Sequence, residues 1–404
     1  MNKRLRIAFA MINCNRRDGS ARAVNEVAER LAARHEIHLF ARRGEDLDLS
    51  HLRWHFMPGI RRPEILDFLT YHGLAQFRIR RQDFDIIHSV GINAAPANVI
   101  TIQNIQPAKR VYLDSQTKSA GVSWVRKLSR QLYLNTTTTI EGRMYNQRDG
   151  KGPLLFLPVS RGVEKELRQH YEIGDALVRI VPNAADTDKF RPLENAERQR
   201  WRLENGLLWS DILLVFVGGE WLRKGLDFAI RALTHLRDEG IKLLVLGRDP
   251  EQKRFAQLAE ECGVRNRVRF LGFRDDITRA LAASDIFLFP SWYEAFSLAT
   301  IEAAACALPI IATEINGTED FIVAGETGLF IKHDPVQIAA ALRPLVSSGT
   351  ERRRMGKNAR ELVERCYTWD RVADLTEQAY FEYLDRAQSA KSVTSKHLRT
   401  IRGC

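Results

Sequence analysis

The sequence predicts an α/β protein made of two doubly wound, mostly parallel-sheet domains. Three observations carry that prediction. Apolar runs of strand length alternate with longer stretches whose apolar residues recur at helical spacing. The alternation breaks between Pro182 and Leu207, where Pro192 and the charged run Glu194–Arg202 interrupt the strands. It then restarts with a strand that closes on Gly218-Gly219. A chain of 404 residues has room for two or three domains at roughly 100–200 residues each.

Taken in order, Arg6-Ile-Ala-Phe-Ala-Met-Ile reads as a buried first strand. Asn13, Asn15 and Arg16 cut the apolar run off, which disfavours a signal peptide. Ala21 to Arg34 reads as a helix, with Val24, Val27, Ala28 and Leu31 on one face. Glu36-Ile-His-Leu-Phe and Asp85-Ile-Ile-His-Ser-Val are further strands. The stretch Trp124–Tyr145 sets Arg126, Lys127 and Arg130 beside Trp124, Leu128, Leu132, Tyr133 and Leu134. It reads either as a packed helix or as an interfacial membrane helix.

In the second half, strands are expected at 212–217, 242–247, 268–272, 286–290 and 309–313, with helices at 226–237 and 254–262. The expected boundaries are an N-terminal domain over 1–185 and a C-terminal domain over 186–368. A crossover helix over 369–388 and a basic flexible tail over 389–404 follow.

Composition narrows the function classes. Apolar residues make up 45% and charged residues 27% of the chain, an ordinary globular balance. No run reaches the ~18 apolar residues of a membrane span. Cys14, Cys262, Cys306, Cys366 and Cys404 form no C-x-x-C pair, which points to reduced thiols in a cytoplasm. Residues 1–192 hold 31 lysines and arginines against 20 acids, while residues 193–404 hold 30 of each. The whole cationic excess therefore lies in the first half and suggests an anionic partner there, such as a phospholipid surface or a phosphorylated glycan. No zinc finger, helix-turn-helix or RNA-recognition signature is present, so nucleic acid is not expected.

Three motifs carry chemistry. In Phe289-Pro-Ser-Trp-Tyr-Glu-Ala-Phe-Ser-Leu, Glu294 follows a strand end, and Glu302 lies eight residues on, inside an Ala-rich helix. Two carboxylates beside a helix start suit a sugar joined to a diphosphate. Carboxylates accept from hydroxyls, and the amides at Phe296, Ser297, Leu298 and Ala299 point at an anion. A surface glutamate pair is the other reading. Arg223-Lys224 sits between a strand and a helix, where open α/β sheets bind ligands and where cations suit phosphate, although solvated Arg-Lys pairs are common. Gly19 opens the first helix, either to let backbone approach a phosphate or as a turn glycine. The pattern is not G-x-G-x-x-G, which disfavours a nicotinamide dehydrogenase.

At this point the chain resembles the family 4 glycosyltransferases of the GT-B fold. The residues that carry the resemblance are the Glu294…Glu302 motif with Ala307-Leu-Pro309, Val181-Pro-Asn183, Val217-Gly218, Lys224-Gly225, Val268–Gly272, Asn316-Gly317 and Gly325…Gly328. It is continuous from about residue 155 to 385 and holds only in outline before that.

The resemblance implies a retaining transfer of a sugar from a nucleotide diphosphate sugar, UDP first and GDP second, without a metal or other cofactor. It implies two Rossmann-like domains facing across a cleft, with a C-terminal helix returning to the first. Glu294 would contact sugar hydroxyls and Glu302 the ribose. Arg223 and Lys224 would neutralise the diphosphate, Gly19 would add a donor, and Phe273 would border the base. The expected acceptor is a membrane-associated or lipid-linked cell-envelope glycan, such as lipopolysaccharide core, reached by peripheral contact of the basic half with an anionic membrane.

Three departures from the family pattern stand out. Glu220 follows Gly218-Gly219 where an arginine is frequent, and Arg223 is taken as its substitute. Ser297 replaces a glycine. Gln103 and Asn104 stand where a first-domain histidine is frequent, which leaves His88 as a candidate base or a strand-end structural histidine. The alternatives are a GT-B enzyme of another reaction (an epimerase or hydrolase), a basic nucleic-acid-binding protein, or a non-catalytic scaffold.

Overall fold

The computed structural model describes residues 3–15, 19–44, 48, 50–116, 124–146 and 154–401. The chain divides into two compact units, Met1–Pro182 with Asp370–Cys404, and Asn183–Trp369.

The first unit is built on strands β1 (Arg6–Ala10), β2 (Glu36–Ala41), β3 (Leu52–Phe56), β4 (Ile86–Val90), β5 (Val99–Ile102), β6 (Leu155–Pro158) and β7 (Leu177–Val178). Their order is β3-β2-β1-β4-β5-β6-β7, and every pairing is parallel. Ile7 lies opposite Ile37 on one side and Ile86 on the other. Ile7, Ala8, Phe9 and Ala10 are all fully buried, as parallel strands covered on both faces must be. The helices are α1 (Gly19–Ala32), α2 (Glu64–Arg78), α3 (Gln106–Gln116), α4 (Trp124–Tyr145) and α5 (Arg161–His170). Ser160 caps α5, accepting from the Val163 amide at 3.1 Å.

The second unit repeats the plan with β8 (Ile212–Val217), β9 (Ile241–Leu246), β10 (Val268–Gly272), β11 (Ile286–Phe289), β12 (Ile310–Thr313) and β13 (Gly328–Ile331). Their order is β10-β9-β8-β11-β12-β13, again all parallel. Strand order thus reverses between β8 and β11, the topological switch point where such sheets hold ligands. The helices are α6 (Asn195–Glu204), α7 (Leu226–Leu233), α8 (Gln252–Glu261), α9 (Ile277–Ala282), α10 (Leu298–Ala305), α11 (Thr318–Phe321), α12 (Pro335–Ser347) and α13 (Gly349–Cys366). Leu214, Phe216, Leu243 and Val245 form one core with Trp221 and Ile230.

The last helix, α14, runs Trp369–Ile401, beyond the limit near 387 that the sequence suggested. No glycine or proline lies between Trp369 and Arg402 to stop it. The stretch expected as a tail, 389–404, is thus helical as far as Ile401; residues 402–404 lie outside the described residues. Within the first unit, α14 is tied to the α1 end of the sheet. Arg34 pairs with Asp374 at 2.9 Å and Glu377 at 2.6 Å, and His35 with Glu377 at 2.7 Å. Among the described residues, no helix is long and apolar enough to cross a membrane.

Glu141 of α4 is buried and accepts from the Tyr171 hydroxyl at 2.7 Å and the Gln106 amide at 3.0 Å. Burial pushes its carboxyl up to about 7, against the two donors. The folded state therefore holds this proton more tightly than the unfolded chain. The stabilisation is complete below the ordinary carboxylate value of 4.5 and is lost as pH rises toward 7. Glu141→Gln is expected to flatten the stability curve across that window and to stabilise the fold at about pH 8 by roughly 1–2 kcal/mol. Urea melts across pH check this, and an unchanged slope would count against a buried titrating carboxyl.

Candidate active site

The C-terminal ends of β8 and β11 carry the densest polar cluster that the motifs anticipated. After β8 the chain turns at Gly218, whose φ is +129°. A Cβ there would lie 2.6 Å from the Lys224 side chain. Gly225, with φ +74°, has its missing Cβ only 1.9 Å from the Pro290 carbonyl oxygen. Both positions accept only glycine, because the loop must pass under its own lysine and against the start of the next loop. Between them Glu220 adopts φ +50° without being glycine, a strained geometry of the kind that collects at ligand sites. The indole of Trp221 donates to the Gly218 carbonyl at 2.8 Å, and the Trp221 amide to Asp249 at 2.8 Å. These bonds hold the turn.

This loop delivers two cations to one carboxylate. Arg223 Nη1 donates to Glu294 Oε1 at 2.8 Å, and Lys224 Nζ donates to the same oxygen at 2.9 Å. Arg223 also donates to Glu220 Oε2 at 3.0 and 2.8 Å and to the Tyr293 carbonyl. Lys224 passes over the Phe289 ring, 4.8 Å from its centroid. The three charged side chains are only 12–18% exposed. Burial alone would push the Glu294 carboxyl up, but Lys224 and Arg223 outweigh it and hold the group below the usual carboxylate range. Burial likewise opposes the charge on Arg223, and Glu294 with Glu220 raises its pKa in spite of it. Glu294 and Arg223 therefore stay ionised at neutral pH.

Helix α10 starts three residues after Tyr293-Glu294. Ser297 is its N-cap, with φ −73° and a hydroxyl that accepts from the Thr300 amide. A serine fits here because the position needs no left-handed backbone, and its hydroxyl satisfies one orphan amide. The amides of Leu298 and Ala299 begin the helix, where no intrahelical acceptor exists. Phe296 is buried; its carbonyl accepts from Asn183 Nδ2 at 2.9 Å, and Gly317 packs on its Cα. Glu302 follows on α10, 4% exposed and engaged with neighbours. Phe273 stands 61% exposed just beyond β10, after Gly272 with φ +69°. The Arg248 side chain approaches Gly272 to 4.0 Å from its missing Cβ.

The structure thus brings Arg223, Lys224 and Glu294 into direct contact beside the start of α10. It sets Glu302 within that helix and Phe273 at the far side of the same sheet edge. Gly19 and His88 belong to the first unit. Gly19 is the exposed first residue of α1. His88 lies in β4 with both ring nitrogens engaged, Nδ1 with the Tyr380 hydroxyl at 2.5 Å and Nε2 with Thr101 Oγ1 at 2.6 Å. Burial pushes its imidazole down to about 3. Of the two readings of His88 from the sequence, a candidate base or a strand-end structural histidine, the buried and doubly engaged ring fits the structural one. Asp276, at the N-cap position of α9, pairs through its side chain with Arg274 and accepts from the Trp201 indole at 2.9 Å. Trp221 and Asp249 support the site without having been singled out. The one signal available for Trp221 was its place beside Gly218.

Two family profiles match the chain, "Glycosyltransferase Family 4" over residues 17–189 and "Glycosyl transferases group 1" over 197–362. The D-inositol 3-phosphate glycosyltransferase of Corynebacterium jeikeium is 31% identical over 57% of this chain and 57% of its own length. The match thus spans little more than half of that relative. The lipopolysaccharide glucosyltransferase WaaG of Escherichia coli is 28% identical over 67% of this chain and 73% of its own. A crystal structure of WaaG superposes with a TM-score of 0.73 at 22% identity, over 92% of this chain and 98% of that one. Anabaena Alr3699/HepE, solved with UDP and glucose, gives a TM-score of 0.69 at 17% identity over 97% and 100%. These likenesses establish the shared fold.

Replacing Gly225 with alanine forces a Cβ onto the Pro290 carbonyl at a positive φ. It is expected to cost about 2 kcal/mol or more and to part Lys224 from Glu294. Denaturant melts measure the first effect; a loss below about 0.5 kcal/mol would mean that the loop reseats freely.

Proposed function

The chain belongs to the family 4 glycosyltransferases of the GT-B fold, and on that premise we propose that it moves a sugar from a nucleotide diphosphate sugar to a membrane-associated or lipid-linked cell-envelope glycan. The donor is a UDP-sugar first and a GDP-sugar second. A lipopolysaccharide core or another surface polysaccharide is the acceptor class. The observation that carries the reading is the buried contact of Arg223 and Lys224 with Glu294 beside the open amides of α10. The UDP complex of one structural neighbour and the name of the glucosyltransferase relative support the donor class.

In this reading the diphosphate lies at the start of α10, where the Leu298 and Ala299 amides and the helix dipole favour an anion. Arg223 and Lys224 neutralise the charge that grows on the leaving phosphate as the sugar C1–O bond breaks. Glu294 holds both cations in place and accepts from sugar hydroxyls. Glu302 takes the ribose, and Phe273 borders the base. The acceptor oxygen attacks from the face the diphosphate leaves, so configuration is retained. With His88 buried and neutral, the departing phosphate oxygen takes the acceptor proton. The reading assigns charge neutralisation to these side chains, so no metal is required. The cationic first half meets an anionic membrane from the cytoplasmic side.

Thermal melting with UDP and GDP, without metal, is expected to show a shift confined to one nucleotide. At about a hundred times the dissociation constant the gain is roughly 2.7 kcal/mol. Lys224→Ala is expected to abolish that shift, and Glu294→Ala to cut turnover about a hundredfold or more. Full activity in both variants would overturn the site. A rate abolished by EDTA and restored by a divalent ion would overturn the metal-free reading.

A further inference from the structure

Helix α2 is apolar on two opposite faces, and the described residues cover only one. Phe68, Tyr71, His72 and Ala75 are buried. Leu66, Leu69 and Phe77 are 38, 37 and 78% exposed. At about 100° per residue these three fall within an arc of roughly 80°. Gly73 lies in the same arc, and a Cβ on it would meet nothing within 4 Å. A helix apolar all round is ordinarily buried all round. Phe56 and Ile60, 54 and 52% exposed, extend the patch. Arg78 donates to the Phe56 carbonyl at 3.3 Å. Arg42 donates to the Ile60 carbonyl at 3.1 Å and to Thr70 at 2.6 Å, so both residues flank the helix.

The surroundings of this patch are cationic. Arg61 and Arg62 stand exposed before the helix, and Arg78, Arg80 and Arg81 are exposed at its end. The nearby acids are Glu64 and Asp83, which are exposed, and Asp67, which is paired with Arg42. On the adjacent helix α4, Leu128 and Leu132 are 61 and 56% exposed, beside exposed Arg130. The side chains of Trp124, Arg126 and Lys127, part of the stretch singled out from the sequence, lie outside the described residues.

We propose that the outer face of α2 is a membrane-docking surface. Leu66, Leu69 and Phe77 enter the headgroup–acyl boundary of an anionic bilayer, and the flanking arginines meet lipid phosphates. Charge complementarity selects this occupant: the patch lies in the half of the chain that holds the entire cationic excess. A merely electrostatic contact needs no exposed phenylalanine. The proposal deepens the reading of a membrane-borne acceptor and rests on it.

The test is co-sedimentation of the full chain with phosphatidylcholine vesicles, with and without phosphatidylglycerol, at low and high salt. UDP-induced thermal shift is recorded in parallel. The wild type is expected to bind the anionic vesicles about tenfold or more tightly than the neutral ones. Leu66→Ser with Phe77→Ser is expected to lose about tenfold of that binding while keeping its melting temperature and UDP response. Leu69→Ser alone serves if the double variant fails to fold. Undiminished binding in the variants, or equal binding to both vesicles, overturns the proposal. A UDP response without vesicle binding overturns it while leaving the transfer reading in place. A dimer that the double variant dissolves, in a chain that ignores vesicles, assigns the face to a second copy and also overturns it. Vesicle binding through this face without any nucleotide response supports the surface and removes the transfer reading.

Discussion

One carboxylate holding two adjacent cations is the interaction on which the ligand edge of the second unit depends. Arg223 and Lys224 are neighbours in sequence, largely buried, and both point at Glu294 Oε1. Without a counter-charge, two such cations repel each other and lose hydration, a cost of several kcal/mol per ion. Glu294 offsets both losses at once. It is itself kept ionised by the pair, so each partner is a condition of the other. With Glu220 also bonded to Arg223 the four side chains balance in charge, and the open amides at the start of α10 supply the positive potential that favours an anion.

The backbone is shaped around that contact. Gly218 leaves space for the Lys224 stem, Gly225 for the Pro290 carbonyl, and Gly317 for Phe296. Each is a place where a methyl group would displace a charged or capping element. Strand order adds the larger constraint. Because β8 and β11 are neighbours although two other strands lie between them in sequence, their loops meet at the reversal of strand order. The cations come from one loop and the carboxylate from the other. The sheet, more than the loops, therefore sets their separation.

The first unit spends its polar chemistry on holding itself together. His88 joins β4, β5 and α14 through Thr101 and Tyr380, while Arg34 binds α14 by charge and His35 by a hydrogen bond to Glu377. The end of the chain is thereby part of the core of its beginning. The same unit leaves an uncovered apolar face on α2, bordered by arginines. Its outer surface thus invites a partially apolar, anionic neighbour.

Sequence by itself determined the two parallel sheets, because strands buried on both faces write themselves as unbroken apolar runs. It also located Glu294, Glu302, Arg223 and Lys224, because helix starts and strand ends have local signatures that spacing reveals. Only the tertiary structure decided what these groups do to one another. The Lys224–Glu294 contact spans 70 residues, and the His88–Tyr380 contact spans 292. Neither separation leaves a periodic trace. The histidine reads the same at a strand end whether it faces solvent or a tyrosine from the last helix. Likewise the covered and uncovered faces of α2 recur at the same helical spacing. Which of them is buried depends on the elements packed against it, and that is a property of the fold rather than of the segment.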